Sequence, residues 1–350
     1  MSEFIQFHLL TAYPPANLNR DDLGRPKTAI MGNATRLRVS SQSLKRAWRT
    51  SDIFENALDG HKGVRTKRIG VQIFERLSAA GVKEKDAKTW TQSIASVFGK
   101  LKNEKDKDIK AACEIEQLVH ISQHEQKAVD QLVDKLIAEN RAPTEEEIEL
   151  LTHDKMAVDI ALFGRMLASK PAYNVEAAAQ VAHAITVHKS EVEDDYFTAV
   201  DDLNAGREDS GSAHIGEAGF GAGLFYSYIC INKDLLIENL NSDKALANRA
   251  LEALTDAMTQ IAPTGKQNSF ASRAYASYLL VEKGKEQPRS LVSAFIKPIY
   301  SSDVINKAAE ELDEKRKKFN QVYDQSPKYM IMNVEKGEGS LAEIKKFVTE

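Results

Sequence analysis

Segments with the alternating pattern of β-strands are spread over most of this 350-residue chain. The predicted strands are Phe4–Leu10, Arg36–Ser40, Asp195–Asp202, Phe220–Ile231 and a segment around Arg273–Val281. Helical stretches lie between some of them, but without regular strand–helix alternation. Such an order favours an α+β fold, in which a four-stranded antiparallel sheet backed by helices is one simple solution.

Several helices are predicted from apolar periodicity and capping residues. The predicted helices are a segment from Ser40 or Ser41 to about Asn56, Lys155–Ser169, Val175–Thr186, Ser242–Gln260 and a short C-terminal helix after the capping box Ser340-x-x-Glu343. Residues 60–155 are mostly helical in pattern, rich in Lys and Glu, and poor in core candidates. We therefore interpret that region as an insertion.

Composition is that of an ordinary soluble globular chain, with 42% hydrophobic and 28% charged residues. The longest nearly uncharged run, residues 219–232, is too short for a membrane span, which needs about 20 apolar residues. The N-terminus lacks the pattern of a signal peptide. Two cysteines, Cys113 and Cys230, indicate a reducing compartment. A cytoplasmic protein with no membrane partner is expected.

Basic residues are concentrated near the N-terminus. Residues 20–76 contain 13 Lys and Arg against 6 Asp and Glu, whereas residues 190–211 contain 1 basic and 8 acidic residues. The basic set comprises Arg20, Lys27, Arg36, Arg38, Lys45, Arg46 and Arg49, followed by Arg65, Lys67 and Arg68. It falls on a loop, on the outer face predicted for the strand Arg36–Ser40, and on one helix face with Gln42. Phosphate contacts need such convergence, although a solvated basic face remains the alternative.

Motifs for catalysis and metal binding are absent from the sequence. It contains no Walker A loop, no H-E-x-x-H, no C-x-x-C and no G-x-S-x-G. The spacing of His183, His188 and His214 does not suit a metal site. We therefore predict no catalytic residue, no metal and no cofactor. Asp21 and Asp22 beside Arg20 leave a role in RNA cleavage open.

Six sequence blocks stand out together: LNRDD (18–22), RLRVSSQSLKRA (36–47), GRM (164–166), AHAIT (182–186), FTAVDDL (197–203) and GSAHIG (211–216). Together they resemble the CasC family, the backbone subunit of the type I-E CRISPR complex Cascade. They stand in the family's order between residue 1 and about residue 235. Residues 80–150 and 270–350 are less similar to the family.

The resemblance implies an RRM-like (ferredoxin-like) palm with a helical finger insertion and a β-hairpin thumb. The implied ranges are 1–59, 156–189 (palm helices) and 221–350 for the palm, 60–155 for the finger and 190–220 for the thumb. Several copies would assemble along one CRISPR RNA without reading its sequence. They would kink the guide periodically and present its bases to target DNA in antiviral defence. Further implied partners are the subunit that caps the guide 5′ end, the small and large subunits, and the guide-processing endonuclease.

The resemblance and the basic set together predict RNA-binding residues. Those expected at the guide backbone are Arg20, Lys27, Arg38, Ser40, Gln42, Lys45, Arg46, Arg49, Arg65 and Arg68. Met166 would pack beside a displaced base, and Phe197, Thr198 and Val200 would lie on the thumb. The acidic residues between 190 and 211 would face a basic surface of a neighbouring subunit.

Two other functions compete with a non-catalytic RNA-binding scaffold. One is a metal-dependent ribonuclease, because related backbone subunits of type III complexes cut bound target RNA with a loop aspartate. The other is a free-standing DNA-binding regulator, to which the basic set alone would also point.

Overall fold

The computed structural model describes residues 2–102, 109–199 and 214–350. The chain folds into two compact units. Unit 1 consists of residues 1–54, 180–231 and 251–350, and unit 2 of residues 55–179 and 232–250. Residues 156–179 and 232–250 therefore group with the region predicted as an insertion.

Strands and helices are both abundant, as an α+β fold requires. The strands are β1 (Phe4–Ala16), β2 (Thr28–Met31), β3 (Ala34–Val39), β4 (Val64–Thr66), β5 (Val119–Ile121), β6 (Ala179–Val181), β7 (Ala184–Thr186), β8 (Glu193–Ala199), β9 (His214–Asn232), β10 (Ala276–Gly284) and β11 (Lys328–Asn333). The helices are α1 (Ser41–Arg49), α2 (Asp52–Ala57), α3 (Ile69–Ala79), α4 (Glu84–Ala95), α5 (Ile109–Ala112), α6 (Gln123–Glu139), α7 (Val158–Phe163), α8 (Lys233–Asn239), α9 (Lys244–Gln260), α10 (Gln267–Phe270), α11 (Val304–Val322) and α12 (Leu341–Thr349). Short 3₁₀ turns occupy Pro171–Tyr173 and Val292–Phe295.

Nine strands of the described residues form one sheet in the order β11-β10-β1-β9-β7-β3-β2, with β6 and β8 also paired to β9. β10 pairs antiparallel with both β1 and β11, and β7 pairs antiparallel with β3 and β9. The predicted α+β class with an antiparallel sheet is thus confirmed, although the sheet has more strands than the four-stranded solution. β4 and β5 form a separate two-stranded sheet.

The first strand is longer than its sequence pattern suggests. It continues through Pro14 and Pro15 to Ala16, because pairing with β10 ends at Thr11 and proline there removes no β1–β10 hydrogen bond. Every residue from Ile5 to Leu10 is buried, so both faces of this part of the strand are covered.

The prediction of an exposed Arg36 on β3 is wrong. The Arg36 side chain is fully buried, and its guanidinium donates to the carbonyl oxygens of Thr186 and Phe295, each at 2.9 Å. These carbonyls satisfy a charge that the strand could not otherwise bury. The segment between β1 and β3 also contains β2.

Three helix predictions need correction. The helix after Ser40 ends at Arg49, and Ser51 Oγ accepts from Phe54 N at the start of α2. Residues 155–169 contain only the short helix α7, because Gly164 has a φ of +80° and ends it. Residues 175–186 form β6 and β7 instead of an alanine-rich helix, so residues 156–189 are not the predicted set of palm helices.

The C-terminal third follows its prediction more closely. α9 ends at Gln260 as expected, and β10 begins and ends three residues later than the predicted strand. Ser340 caps α12 by accepting from Glu343 N at 3.2 Å. The segment between α9 and β10 contains the single-turn helix α10.

Unit 2 has a larger core than its sequence pattern predicts. Its buried cluster includes Phe74, Trp90, Phe98 and Leu136, contributed by α3, α4, α6 and the segment after α4. The expectation of a weak core in residues 60–155 is therefore wrong. This region has enough apolar burial for a stable packed body.

A buried polar cluster lies within the sheet of unit 1. Arg289 binds the Glu282 carboxylate with two hydrogen bonds of 2.7 and 2.9 Å. His8 Nε2 lies 3.4 Å from Glu282, and His8 Nδ1 lies 2.9 Å from the Tyr226 hydroxyl. Gln6 accepts from Tyr228 and from Arg289 N. The cluster thereby joins β1, β9 and β10 through side chains as well as through the strand ladder.

Among the described residues, no helix is both long enough and apolar enough to cross a membrane.

Candidate nucleic-acid interface

The loop that carries Arg20 is an ordered hairpin. Arg20 and Pro26 form an isolated antiparallel β-bridge, and Lys27 N donates to Asn19 O at 2.9 Å. The carboxylate of Asp21 accepts from the backbone N–H of Leu23 and of Arg25 inside the turn. Arg20 itself is exposed, so the ordered backbone presents its guanidinium to solvent.

This loop is fixed to the start of α1. Asn19 Oδ1 accepts from Ser40 N at 2.8 Å, and Ser40 Oγ accepts from Ser43 N as the N-cap. The predicted N-cap is confirmed, and the Ser40 side chain is buried in that role. Leu44, Ala47 and Trp48 pack inward, as their spacing predicts.

The opposite face of α1 carries the basic residues. Gln42 and Arg46 are exposed, whereas Lys45 and Arg49 are half-buried. The helix has nine residues, with two arginines in its last turn and no acidic residue in its first turn. This charge distribution favours anionic ligands along the basic face.

Arg20 and Arg46 line one cavity of about 450 Å³. The cavity is also lined by Leu18, Asn19, Asp21, Ser43, Ala47, Thr50, Thr264 and Gly265. A Cβ on Gly265 would lie 2.3 Å from Leu18 O, so only glycine allows this close approach. The sequence analysis did not assign Thr264 and Gly265 to the site, and the glycine itself was the only signal for this wall of the cavity.

Arg38 and Lys27 form the second basic part of this interface. Arg38 Nη1 lies 2.8 Å from His183 Nδ1, and since arginine has no acceptor it donates to a neutral imidazole. Burial, reinforced by the charges of Arg38 and Lys27, lowers the pKa of His183 and keeps the ring neutral. His183 is a positioning partner of Arg38 that the sequence prediction did not assign.

The hairpin of β8 and β9 carries Phe197 and Thr198, both exposed. Phe197 pairs with Gly216 across the hairpin, and a Cβ on Gly216 would lie only 2.4 Å from the tip of the Phe197 ring. The glycine therefore makes the space that the ring occupies. Val200 lies outside the described residues.

The base of this hairpin is tied to the loop that carries Arg20. Asn17 Nδ2 donates to Gly24 O and to Gly219 O, both at 2.9 Å. Arg25 forms an ion pair of 3.0 Å with Asp194. One carboxylate of the acidic segment thus has a basic partner within its own chain, whereas a neighbouring subunit was expected.

Three predicted RNA-binding residues belong to unit 2. Arg65 lies on β4 and is exposed, and Arg68 is the exposed residue that precedes α3. Met166 is 76% exposed, an unusual environment for a large apolar side chain. The structure thus brings Arg20 and Arg46 together at one cavity in unit 1 and assigns Arg65, Arg68 and Met166 to unit 2.

Metal-ligating side chains do not cluster in the part of the chain that the structure describes. There, no group of three or more His, Cys, Asp and Glu residues is arranged to hold an ion.

Comparisons with known proteins identify the family. The family model for CT1975-like proteins, a Cas family, matches residues 5–348. The chain is similar to a chain of a solved assembly described as "CRISPR RNA-guided surveillance complex, pre-nicking", with 31% identity, a TM-score of 0.85 and 99% of each chain covered.

A second solved chain, from a "CRISPR RNA-guided surveillance complex", is 28% identical with a TM-score of 0.73, covering 97% of this chain and 94% of that one. No curated protein matches this chain. The family match over nearly the whole length and the agreement in fold lead to one conclusion: the chain belongs to the CT1975-like family and is a Cascade-type CRISPR protein.

Proposed function

We propose that this chain is the backbone subunit of a CRISPR RNA-guided surveillance complex and binds the guide RNA. The observation that carries the proposal is the cavity lined by Arg20 and Arg46. Two arginines from separate elements line it together with the loop that contains Gly265, and arginine side chains bind phosphate oxygens without selecting a base. The similarity to chains of such complexes supports the same function.

The finer proposal is a subunit of the type I-E complex, as the resemblance to the CasC family implies. Several copies would line one guide, kink it at intervals and leave the bases between kinks free for target DNA. Lys27, Arg38 and the basic face of α1 would follow the guide backbone. The other complex subunits would bind at the ends and along the side of this assembly.

In this proposal the hairpin of β8 and β9 works between copies. Its exposed Phe197 ring would replace the stacking that a kinked base loses, a cost of a few kcal/mol. We expect Gly216→Val to displace the ring and to abolish ordered multi-copy assembly on guide RNA, measured by light scattering. Gly216 is half-buried and its Cβ position lies 2.4 Å from the Phe197 ring, so thermal unfolding is measured alongside to show that the variant remains folded.

The matched control for this variant is Glu217→Ala, an exposed change at the neighbouring residue of the same strand. It should assemble like the unmodified protein. Normal assembly by Gly216→Val would show that the Phe197 ring has no role between copies.

We also propose that the subunit does not cut RNA. Asp21, one of the two loop carboxylates, is engaged with two backbone N–H groups of its own turn. Guide-paired RNA should therefore stay intact with Mg²⁺ or Mn²⁺, as judged on a denaturing gel. Metal-dependent cutting that Asp22→Ala abolishes would instead support the ribonuclease function.

One preparation tests the proposal as a whole. The protein purified from cells that express a CRISPR array should carry a uniform short RNA, identified by sequencing. Recovery of DNA fragments with no guide would favour the free-standing regulator.

A further inference from the structure

Met166 is an exposed apolar residue held between two buried neighbours. Its side chain is 76% exposed, whereas Arg165 is 4% and Leu167 is 3% exposed. The chain therefore enters the interior, projects one methionine outward and returns within three residues. An exposed methionine samples several rotamers, so the position that its side chain can reach depends on how its backbone is held.

Arg165 anchors the residue before Met166. Its Nη1 lies 2.9 and 2.7 Å from the two carboxylate oxygens of Glu125, and the Glu125 side chain is fully buried. The guanidinium also donates to the carbonyl oxygens of His120 and Tyr173, both at 3.3 Å. Nη1 makes the contacts with Glu125 and His120, whereas Nη2 makes the contact with Tyr173. A lysine has one ammonium nitrogen in place of these two, so it cannot keep both sets of contacts.

The backbone around Met166 is fixed independently on both sides. Arg165 and Val175 exchange two hydrogen bonds of 3.0 and 2.9 Å. Leu167 N donates to Asn174 Oδ1 at 2.6 Å. Met166 thus lies between two anchored residues, with only its own side chain left to move.

Glu125 connects this anchor to the start of α6. Its carboxylate accepts from Ser122 N at 2.9 Å in the capping box and from Thr152 N at 3.4 Å. Separating Arg165 from Glu125 would leave a buried charge without compensation, which is strongly destabilising. The two side chains therefore stay paired in the folded protein.

The same buried network reaches the strand that carries Arg65. His120 pairs with Arg65 across β4 and β5, and its ring Nε2 lies 2.7 Å from Asp159. The other oxygen of Asp159 accepts from Gly63 N at 2.8 Å, just before β4. Unit 2 therefore holds Arg65 and Met166 on one connected framework.

We propose that Arg165, through its buried pair with Glu125, is a positioning residue that fixes the backbone at Met166, so that the exposed side chain is presented to a base of the bound nucleic acid. The inference rests on the proposed function, in which this chain binds guide RNA. Holding the methionine in advance lowers the ordering cost that binding would otherwise have to offset. Arg165 touches no nucleic acid itself and acts only through Met166.

The test uses the full chain and single-stranded guide RNAs, each with 2-aminopurine at one position. The emission of this base rises where it is unstacked. The profile of emission against the labelled position therefore reports any base that Met166 displaces. Arg165→Lys and Met166→Ala should each lower the same peak and weaken guide binding by about threefold or more. The double variant should be no worse than either single variant, because both changes remove one contact.

The control is Val133→Ala, which removes buried volume from α6 in the same core and leaves Arg165 and Glu125 unchanged. It should leave the profile unchanged. In a Trp48→Phe background, Trp90 emission reports whether unit 2 remains packed in each variant. Additive losses in the double variant, or an equal loss in Val133→Ala, would show that Arg165 is merely structural.

Failure of this inference and failure of the proposed function have different signatures. Tight guide binding with a profile that Met166→Ala does not alter overturns the positioning role alone. The absence of guide binding by the unmodified protein overturns the proposed function, and this inference with it.

Discussion

Replacing Arg20 and Arg46 together with alanine should weaken guide-RNA binding by about a hundredfold, and equally for unrelated guide sequences. A hydrogen bond to a charged group contributes about 1.5–3 kcal/mol, which corresponds to roughly tenfold or more for each contact. Both side chains line the same cavity, so each replacement should remove one contact with a phosphate of the guide. The slope of log K against log salt concentration should shrink by about 0.7 for each lost contact.

The matched control removes the same charge elsewhere in unit 1. Lys317 and Lys318 lie on α11, where they pair with Asp313 and Glu314. The double alanine variant of these lysines should keep both affinity and salt slope. A loss limited to one guide sequence in the Arg20 and Arg46 variant would contradict phosphate binding, because phosphate contacts carry no sequence information.

A second large effect is expected at the buried polar cluster of unit 1. Arg289→Met should lower the free energy of unfolding by about 3–5 kcal/mol, because it leaves the fully buried Glu282 carboxylate without its ion-pair partner. The double variant with Glu282→Leu should recover much of this loss, since it removes the stranded charge. Urea unfolding followed by tryptophan emission measures the free energy of unfolding. In a Trp90→Phe background Trp48 is the only tryptophan, so the emission reports on unit 1.

The pH dependence of stability follows from the same cluster. Burial lowers the pKa of His8 below its ordinary 6.5, so the unfolded chain takes up this proton first and stability falls as the pH drops below about 6.5. Burial alone would raise the pKa of Glu282, but hydrogen bonds with His8 and Arg289 outweigh it and hold the pKa at about 2. A further loss is therefore expected from pH 4.5 down to about 2.

Variants of the two titrating residues separate these steps. His8→Asn should flatten the first step, and Glu282→Gln should remove the second. An acid transition that is unchanged in both variants would show that other groups control stability at low pH.

The helix that carries the basic face could be predicted because its signals are local. Ser40 as a cap and Leu44, Ala47 and Trp48 as the inner stripe all lie within nine residues. Such patterns depend on helix geometry alone. Its end was not predictable in the same way, because Thr50 and Ser51 interrupt it by side-chain hydrogen bonds to Arg46 O and Trp48 O.

The strands β6 and β7 show where local signals fail. Alanine favours a helix by less than 1 kcal/mol per residue over most other residues, and pairing within a large sheet exceeds that preference. Ala184 pairs with Val39 and Thr186 with Phe225, partners that lie far away in sequence. No pattern within residues 175–186 reports those partners.

Arg36 illustrates the same limit for the candidate site. Alternation along β3 indicates that Arg36 and Arg38 share a face, and basic residues are usually exposed. The structure buries only Arg36, because carbonyl oxygens of Thr186, Phe295 and Ile296 surround its guanidinium. Those acceptors come from segments 150 or more residues later in the chain.

The pairing of β1 with β10 has a consequence for synthesis of the chain. Phe4 pairs with Gly284, so the first strand leaves the ribosome long before its partner exists. At about 5–20 residues per second, the wait is roughly ten seconds to a minute. During that time the segment from Ile5 to Leu10, which is buried in the folded protein, has no ladder partner on that side, and unpaired strand edges of this kind promote aggregation. The protein therefore completes its central sheet only after translation of most of the chain, and chaperone binding to this first strand would protect it until then.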